Sequence, residues 1–298
     1  MEKPYLLHMI TPDKNLSAFD VNMAFDAGWT AMPYSSVVLD EVTTIVQDTI
    51  FSRGPKGLKR TGIFIGGKDM HLAMDMFNVA KEAMVPPFEI SVFTDPSGAF
   101  TTAAAMVAAV AHQLKIKNGE ELKGQCILVL GGTGPVGSSS AVLAAKFGAK
   151  VTILGRAIDK ANNVADLCNT RYGTFIIGIK GDINDHIDEL LQDADIIFAT
   201  AKPGIQVLNE KRVTSAPKLK IAADLNVVPP AGIAGINLHD NGTPINGSQS
   251  GAVSIGSLTI GDIKYHTQQE LLIQMHNAES TLYLHFEDAF KVAIELAH

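Results

Sequence analysis

The 298-residue chain holds only two cysteines, Cys126 and Cys168, and one tryptophan. Two thiols cannot build a disulfide framework, nor a zinc site by themselves. Each falls in an apolar pattern, which predicts buried thiols in a reducing, cytoplasmic setting. Charge is scarce as well: Asp, Glu, Lys and Arg make up 18% of the chain, with a net charge of −7. No run of five Lys or Arg occurs, and an acidic balance without a basic stripe argues against a nucleic-acid partner. Long hydrophobic runs are missing too. The alanine-rich stretch from Thr101 to Ala111 is too short for a bilayer and follows a helical pattern, so no membrane partner is expected. The opening residues, MEKPYLLHMITPDKN, lack a small-residue cleavage pattern and read as a first strand. The nine histidines show no H-E-x-x-H spacing, and no G-x-S-x-G elbow stands between a strand and a helix. No metal is expected.

What the chain does have is apolar bulk, 46% of its residues, enough for two cores. Short apolar runs alternate with longer amphipathic stretches, the pattern of an α/β fold with parallel sheets. In the first part, strands are expected at 5–10, 61–65 and 88–93, with helices at 17–27, 39–51 and 69–85 and a long helix at 101–117. A second series predicts strands at 126–130, 150–154, 175–178, 195–199 and 220–224, with helices at 136–147, 157–172 and 184–192. The stretch 229–256, rich in Gly, Asn and Pro, reads as irregular loop, and helices at 262–276 and 283–297 close the chain. The expected division is a substrate domain over 1–115, joined by the C-terminal helix 280–298, and a Rossmann-type doubly wound domain over 116–279.

One motif carries chemistry. Gly132, Gly134 and Gly137 form G-x-G-x-x-G in GGTGPVG, preceded by the apolar run CILVL and followed by the alanine-rich SSSAVLAAKFG. A bare match is weak, but strand before and helix after give the dinucleotide fingerprint its required context. The first glycine is expected to make the tight turn, the second to admit a pyrophosphate and the third to pack helix on strand. Free amides at the helix start then face the phosphates, so Gly132, Thr133, Gly134, Pro135, Val136 and Gly137 are the expected cofactor cradle.

The end of the next strand separates NAD from NADP. NAD-binding folds place an acid there for the ribose hydroxyls; this chain has Leu154-Gly155-Arg156. Arg156 suits a 2′-phosphate and Lys160, one turn on, adds a second charge, so NADP is preferred while NAD stays possible. Thr200 and Ala201, after the fourth strand of the series, are expected at the nicotinamide half. Asp224 and Asn226, after the fifth, either touch nicotinamide or cap their own loop.

The segments FDVNMAFDAG (19–28), FSRGPKG (51–57), IFIGGKDM (63–70), DPSGAFTTAAAMVA (95–108), LGGTGPVG (130–137), LGRAIDKA (154–161), NVVPPAGIAGI (226–236) and IGSLTIGDIKYHTQ (255–268) resemble the NAD(P)-dependent methylenetetrahydromethanopterin dehydrogenases of methylotrophic bacteria. The resemblance covers essentially the whole chain, loops included. Gly155-Arg156 resembles the strictly NADP-using members, whereas the 51–57 and 226–236 segments look more like members that accept both cofactors. The resemblance implies oxidation of methylene-tetrahydromethanopterin to the methenyl form in one-carbon oxidation. It also implies a pterin cleft beside a Rossmann domain, a C-terminal helix returning to the first domain, and a homo-oligomer, a trimer or a multiple of one.

Such a reaction needs no base or metal, because a hydride leaves a carbon flanked by two nitrogens and the cation is delocalised over them. Orientation and electrostatics are the protein's share. Asp20, Gly67, Lys68, Asp95, Gly98, Thr101 and Thr102 are the candidate pterin contacts; for Asp95 and Thr101 helix capping is the competing reading. Lys264 stands where the family places a lysine beside the reacting ring and is the candidate catalytic residue. An ammonium there would oppose the forming cation unless it is displaced from the carbon, bonds a ring nitrogen or loses its charge through burial. The alternative reading is a methylene-tetrahydrofolate dehydrogenase. Cyclohydrolase activity is not expected, since Tyr34 is followed at position 38 by Val where a lysine would be needed. A non-catalytic NADP sensor would lack the polar first-domain residues, and a quinate/shikimate-type dehydrogenase would need a Lys–Asp pair that is not evident.

Overall fold

The computed structural model describes residues 3–155, 158–178 and 183–298, without the side chains of 158 and 183–186. In chain order its elements begin with β1 Leu6–Ile10, α1 Ala18–Asp26, β2 Thr30–Tyr34, α2 Val42–Phe51, α3 Pro55–Leu58, β3 Thr61–Ile65, α4 Met70–Glu82, β4 Ser91–Thr94 and α5 Ala99–Asn118. The second series follows as β5 Cys126–Leu130, α6 Pro135–Lys146, β6 Lys150–Leu154, α7 Ile158–Tyr172, β7 Ile176–Gly178, α8 Ile183–Leu190, β8 Ile196–Ala199, α9 Glu210–Ser215 and β9 Ile221–Asp224. The chain ends with β10 Asn241–Pro244, β11 Val253–Ile255, α10 Ser257–Asn277, β12 Tyr283–Leu284 and α11 Phe286–Leu296. It divides into two compact units: unit 1 is Met1–Thr101 with Tyr265–Val292, and unit 2 is Thr102–Lys264 with Ala293–His298. The sequence-based boundaries, 115/116 and 279/280, fall elsewhere, and the divisions here run through helices α5, α10 and α11.

Unit 1 is built on a five-stranded parallel sheet in the order β12-β4-β3-β1-β2. Every residue of the central β3 is buried, Thr61 included, which suits the apolar run Ile63–Ile65 that ends it. Ile10, Ile63, Ile65 and Val92 meet Val46 and Ile50 of α2 and Ala73 and Met76 of α4 in one cluster. On the other face of β3, Gly62 has no room for a side chain, since a β-carbon would lie 2.9 Å from the Met275 methyl. The Trp29 indole donates to the Leu272 carbonyl at 3.0 Å, anchoring that stretch of α10 within the unit. Edge strand β2 escapes the sequence pattern because Pro33 breaks it; proline is tolerated at a sheet edge, where it removes no ladder bond.

Unit 2 holds seven strands in the order β10-β11-β9-β8-β5-β6-β7, all parallel except β10. Numbered from β5, the parallel strands run 3-2-1-4-5-6, the doubly wound dinucleotide-binding order. β5 pairs β6 on one side and β8 on the other, so the strand order reverses at β5/β8. The expected irregular loop at 229–256 is corrected here: it contains β10 and β11, both too short to show a period, and Gly242 interrupts β10 with φ 74°. The alanine-rich stretch belongs to a 20-residue helix, α5. Pro96–Asn118 is therefore long and apolar enough to cross a membrane by composition alone, yet 72% of its most apolar window is buried in protein, as in a core helix. Cys168 is buried and Cys126, at the start of β5, only half-buried; both are free thiols.

Candidate functional site

In unit 2 the apolar β5 runs into Gly131–Gly134 and out into α6, whose first residue is Pro135 and whose N-cap is Gly134. The glycines divide their labour differently from the sequence expectation. Gly131, not Gly132, holds the left-handed backbone of the turn, at φ 85°, and a β-carbon on it would stand 2.7 Å from the Ala201 nitrogen. A β-carbon on Gly132 would meet Ile153 at 2.6 Å, so this glycine lets the turn lie on β6. One on Gly137 would meet the Thr200 hydroxyl at 2.6 Å and the Gly132 Cα at 2.7 Å. Gly134 alone is open, with nothing nearer than the Gly131 carbonyl at 3.6 Å. Three glycines thus close the turn against its surroundings and the fourth leaves space over the helix start. Gly134 provides no side-chain cap, so the first-turn amides of α6 are not satisfied by a cap.

The loop after β8 belongs to the same place. The Thr200 amide and hydroxyl both donate to the Leu130 carbonyl, at 2.8 and 3.1 Å, setting Thr200 and Ala201 against the turn. Thr133 packs over Gly155, where a β-carbon would come within 2.8 Å of its methyl. Arg156 lies outside the described residues. Lys160 is exposed near the start of α7.

Asn226 is brought near for a different task. Its Oδ1 accepts from the Gly204 and Val228 amides at 3.1 and 3.0 Å, and its Nδ2 donates to the Pro230 carbonyl at 2.7 Å. Asp224 accepts from the Asn226 and Ile233 amides, each at 2.9 Å. Burial pushes the Asp224 carboxyl above its ordinary range, against the pull of these amides and that of Gly232. Of the two readings left open by the sequence, the loop clasp is the one these bonds build.

In unit 1 the loops leaving β1, β3 and β4 meet at the carboxyl edge of the sheet. Gly67 takes φ 114° beside Pro12, and its carbonyl accepts from the Ser97 hydroxyl at 2.8 Å. Lys68 is exposed, and Asp69 caps α4 by accepting from the His71 and Leu72 amides. Asp95 is fully buried: Oδ1 accepts from the Phe100 and Thr101 amides at 2.9 and 3.2 Å, and Oδ2 from the Thr101 hydroxyl at 2.6 Å. Asp95 and Thr101 therefore do the capping that the sequence offered as the competing reading. Gly98, at φ 66°, turns the loop between them. Asp20 is 2% exposed, and its Oδ1 accepts from the Gln268 amide of α10 at 2.8 Å. Thr102 and Lys264, both half-buried, group with unit 2. Along α10, Lys264 stands one turn before Gln268.

Sequence reasoning missed Gln268, Ser97 and the role of Gly131. A buried glutamine within a helix carries no local signal. Ser97 had one, since Asp-Pro-Ser-Gly is turn chemistry, and Gly131 could be told from Gly132 only by the path of the backbone. Two cavities in unit 2, of about 450 and 460 Å³, are lined by none of the glycine-turn residues. Among the described residues no group of three or more His, Cys, Asp or Glu could hold a metal ion.

Residues 18–97 match the family model described as methylene-tetrahydromethanopterin dehydrogenase, N-terminal. The NAD(P)-dependent methylenetetrahydromethanopterin dehydrogenase of Methylorubrum extorquens is 43% identical over 294 residues, 98% of each chain. The bifunctional protein MdtA of the same organism is 33% identical over 293 residues, 98% of this chain and 99% of that one. Among solved structures, the NAD-dependent malic enzyme of Thermotoga maritima shares the fold with a TM-score of 0.55 at 13% identity, covering 97% of this chain and 84% of its own.

Proposed function

The chain belongs to the NAD(P)-dependent methylenetetrahydromethanopterin dehydrogenases, and from that premise we propose that it carries a hydride from methylene-tetrahydromethanopterin to NADP⁺, with NAD⁺ as a second acceptor. The products are methenyl-tetrahydromethanopterin and the reduced nucleotide. Two electrons and one hydrogen leave the methylene carbon, the positive charge is shared by the two flanking nitrogens, and no proton is exchanged at that carbon. The observation that carries the reading is the 43% identity running through 98% of the chain, so that both units are included.

The glycine turn fits a dinucleotide, because the open side of Gly134 and the uncapped start of α6 offer space and amide donors where a pyrophosphate would sit. NADP⁺ held there supplies the hydride acceptor. Gly132, Thr133, Gly134, Pro135, Val136 and Gly137 are its proposed cradle, with Arg156 and Lys160 for the 2′-phosphate and Thr200 and Ala201 towards nicotinamide. Asn226 supports that site through its loop. We assign the pterin to the carboxyl edge of unit 1, with Asp20, Gly67, Lys68 and Gly98 as contacts and Asp95 and Thr101 shaping the loop; Thr102, which groups with unit 2, is proposed as a further contact. Lys264 is proposed to orient the reacting ring through a nitrogen, its ammonium kept off the carbon that becomes electron-poor. The protein's work is then to hold the reacting carbons at near-attack distance, which can supply a large share of such a rate enhancement.

The test is turnover by purified protein with methylene-tetrahydromethanopterin or methylene-tetrahydrofolate, each with NADP⁺ or NAD⁺, read by absorbance of the reduced nucleotide. The methanopterin form with NADP⁺ should be fastest; a faster rate with the folate would replace the substrate in this reading. We also place the enzyme in the cytoplasm as a homo-oligomer, a trimer or a multiple of one. Two free cysteines support a reducing compartment, and burial pushes the Cys168 thiol up to about 11, which keeps it protonated and inert. Light scattering of the purified protein tests the subunit count.

A further inference from the structure

Among the described residues only two that are not glycine hold a left-handed backbone, Ser36 at φ 57° and Ser97 at φ 53°. Both stand in unit 1, in the loops that leave the carboxyl ends of the parallel strands β2 and β4. A β-carbon makes that conformation costly, and it persists only where the surroundings enforce it. The enforcement is visible at each serine. The Ser36 amide donates to the Asp13 carbonyl at 2.8 Å, next to the Val37 amide on the Thr11 carbonyl at 3.1 Å, joining the loop after β2 to the loop after β1. The Ser97 hydroxyl donates to the Gly67 carbonyl at 2.8 Å, joining the loop after β4 to the loop after β3. Gly67 in turn abuts Pro12, with 3.0 Å from a would-be β-carbon to its ring. Four loops are thereby tied into one rim at the carboxyl edge, where open α/β sheets bind their ligands.

Ser97 is exposed on that rim, and its hydroxyl oxygen keeps lone pairs after donating to Gly67. Glycine would fit φ 53° at less cost, so the backbone alone does not account for a serine here; the tie does. The geometry points to Ser97 as a positioning residue for the reduced pterin, fixing the spacing between the Gly66-Gly67 turn and the 95–98 loop. The inference rests on the proposed pterin reaction and extends it to a residue that the sequence reading left out.

Three variants test it. Ser97→Gly removes the tie and relieves the backbone; Ser97→Ala removes the tie alone; Ser97→Asn tolerates the left-handed backbone and restores a donor. The KM for methylene-tetrahydromethanopterin should rise about tenfold in the first two, with kcat within about twofold and the NADP⁺ Kd unchanged. Ser97→Gly should melt no lower than the parent protein, and Ser97→Asn should bring KM back towards the parent value. An active parent with an unchanged KM in Ser97→Gly would overturn the inference alone, as would equal losses in KM, cofactor Kd and melting temperature. A parent protein inactive with the pterin would overturn the underlying reading and the inference with it.

Discussion

The glycine turn of unit 2 and the carboxyl-edge loops of unit 1 solve one problem, a fixed carboxyl edge on a parallel sheet, by opposite means. The turn does it with missing side chains: Gly131, Gly132 and Gly137 let the backbone lie against Ala201, Ile153 and Thr200, and Gly134 leaves the opening. The loops do it with added ones: Asp95 holds Thr101, Gln268 holds Asp20 and Ser97 holds Gly67. A site made of backbone tolerates no β-carbon, whereas a site made of side-chain ties loses function one bond at a time.

Substitutions can break that contrast. The largest effect is expected from Gly131→Ala, which forces a left-handed alanine into the Ala201 nitrogen; it should cost on the order of 2–4 kcal/mol in chemical denaturation and abolish NADP⁺ binding. Asp95→Ala orphans two buried amides in unit 1 and leaves the Thr101 hydroxyl only the Gly98 carbonyl at 3.3 Å, and should cost about 2–3 kcal/mol in the same measurement. Gly134→Ala sharpens the comparison from the other side. Its β-carbon meets nothing within 3.6 Å, so stability should hold within about 0.5 kcal/mol while the NADP⁺ Kd, read by fluorescence titration, rises about tenfold. Equal stability losses for Gly131→Ala and Gly134→Ala would erase the distinction between packing and ligand-facing glycines.

The smallest effect is a pH dependence in unit 1. Burial, helped by the nearby Arg53 charge, lowers the pKa of His8 on β1 below its ordinary 6.5. The folded protein then binds fewer protons than the unfolded chain as pH falls through that value, so this contribution is full above it and is lost on acidification towards the lowered pKa. His8→Gln should flatten the fall in melting temperature over that window, and an unchanged slope would show that other groups cause it.

The same contrast explains what the sequence could tell. Strands β3, β5 and β6 were legible to the residue, because each is a short, largely apolar run that ends at a glycine. The dinucleotide motif was legible because only glycine serves a turn this tight, although which glycine carries the positive φ depends on the path of β6 and the loop after β8. Strands β2, β10 and β11 were not: Pro33 and Gly242 interrupt β2 and β10, and β11 is three residues long. In unit 1 the polar residues could be named but not given roles. Asp95 and Thr101 look alike in sequence whether they cap α5 or meet a ligand, and Gln268 lies 248 residues from the carboxylate it holds. Long-range side-chain ties leave no local pattern.

The central claim is a direct hydride transfer driven by positioning, and labelled substrate tests it. Methylene-tetrahydromethanopterin carrying deuterium on the bridging carbon should pass its label, one deuterium per turnover, to the nicotinamide ring of NADPH, with none released to water. Deuterium found in solvent at the rate of turnover would contradict it, because the carbon would then exchange a proton and the chain would need an acid–base group it has not been assigned.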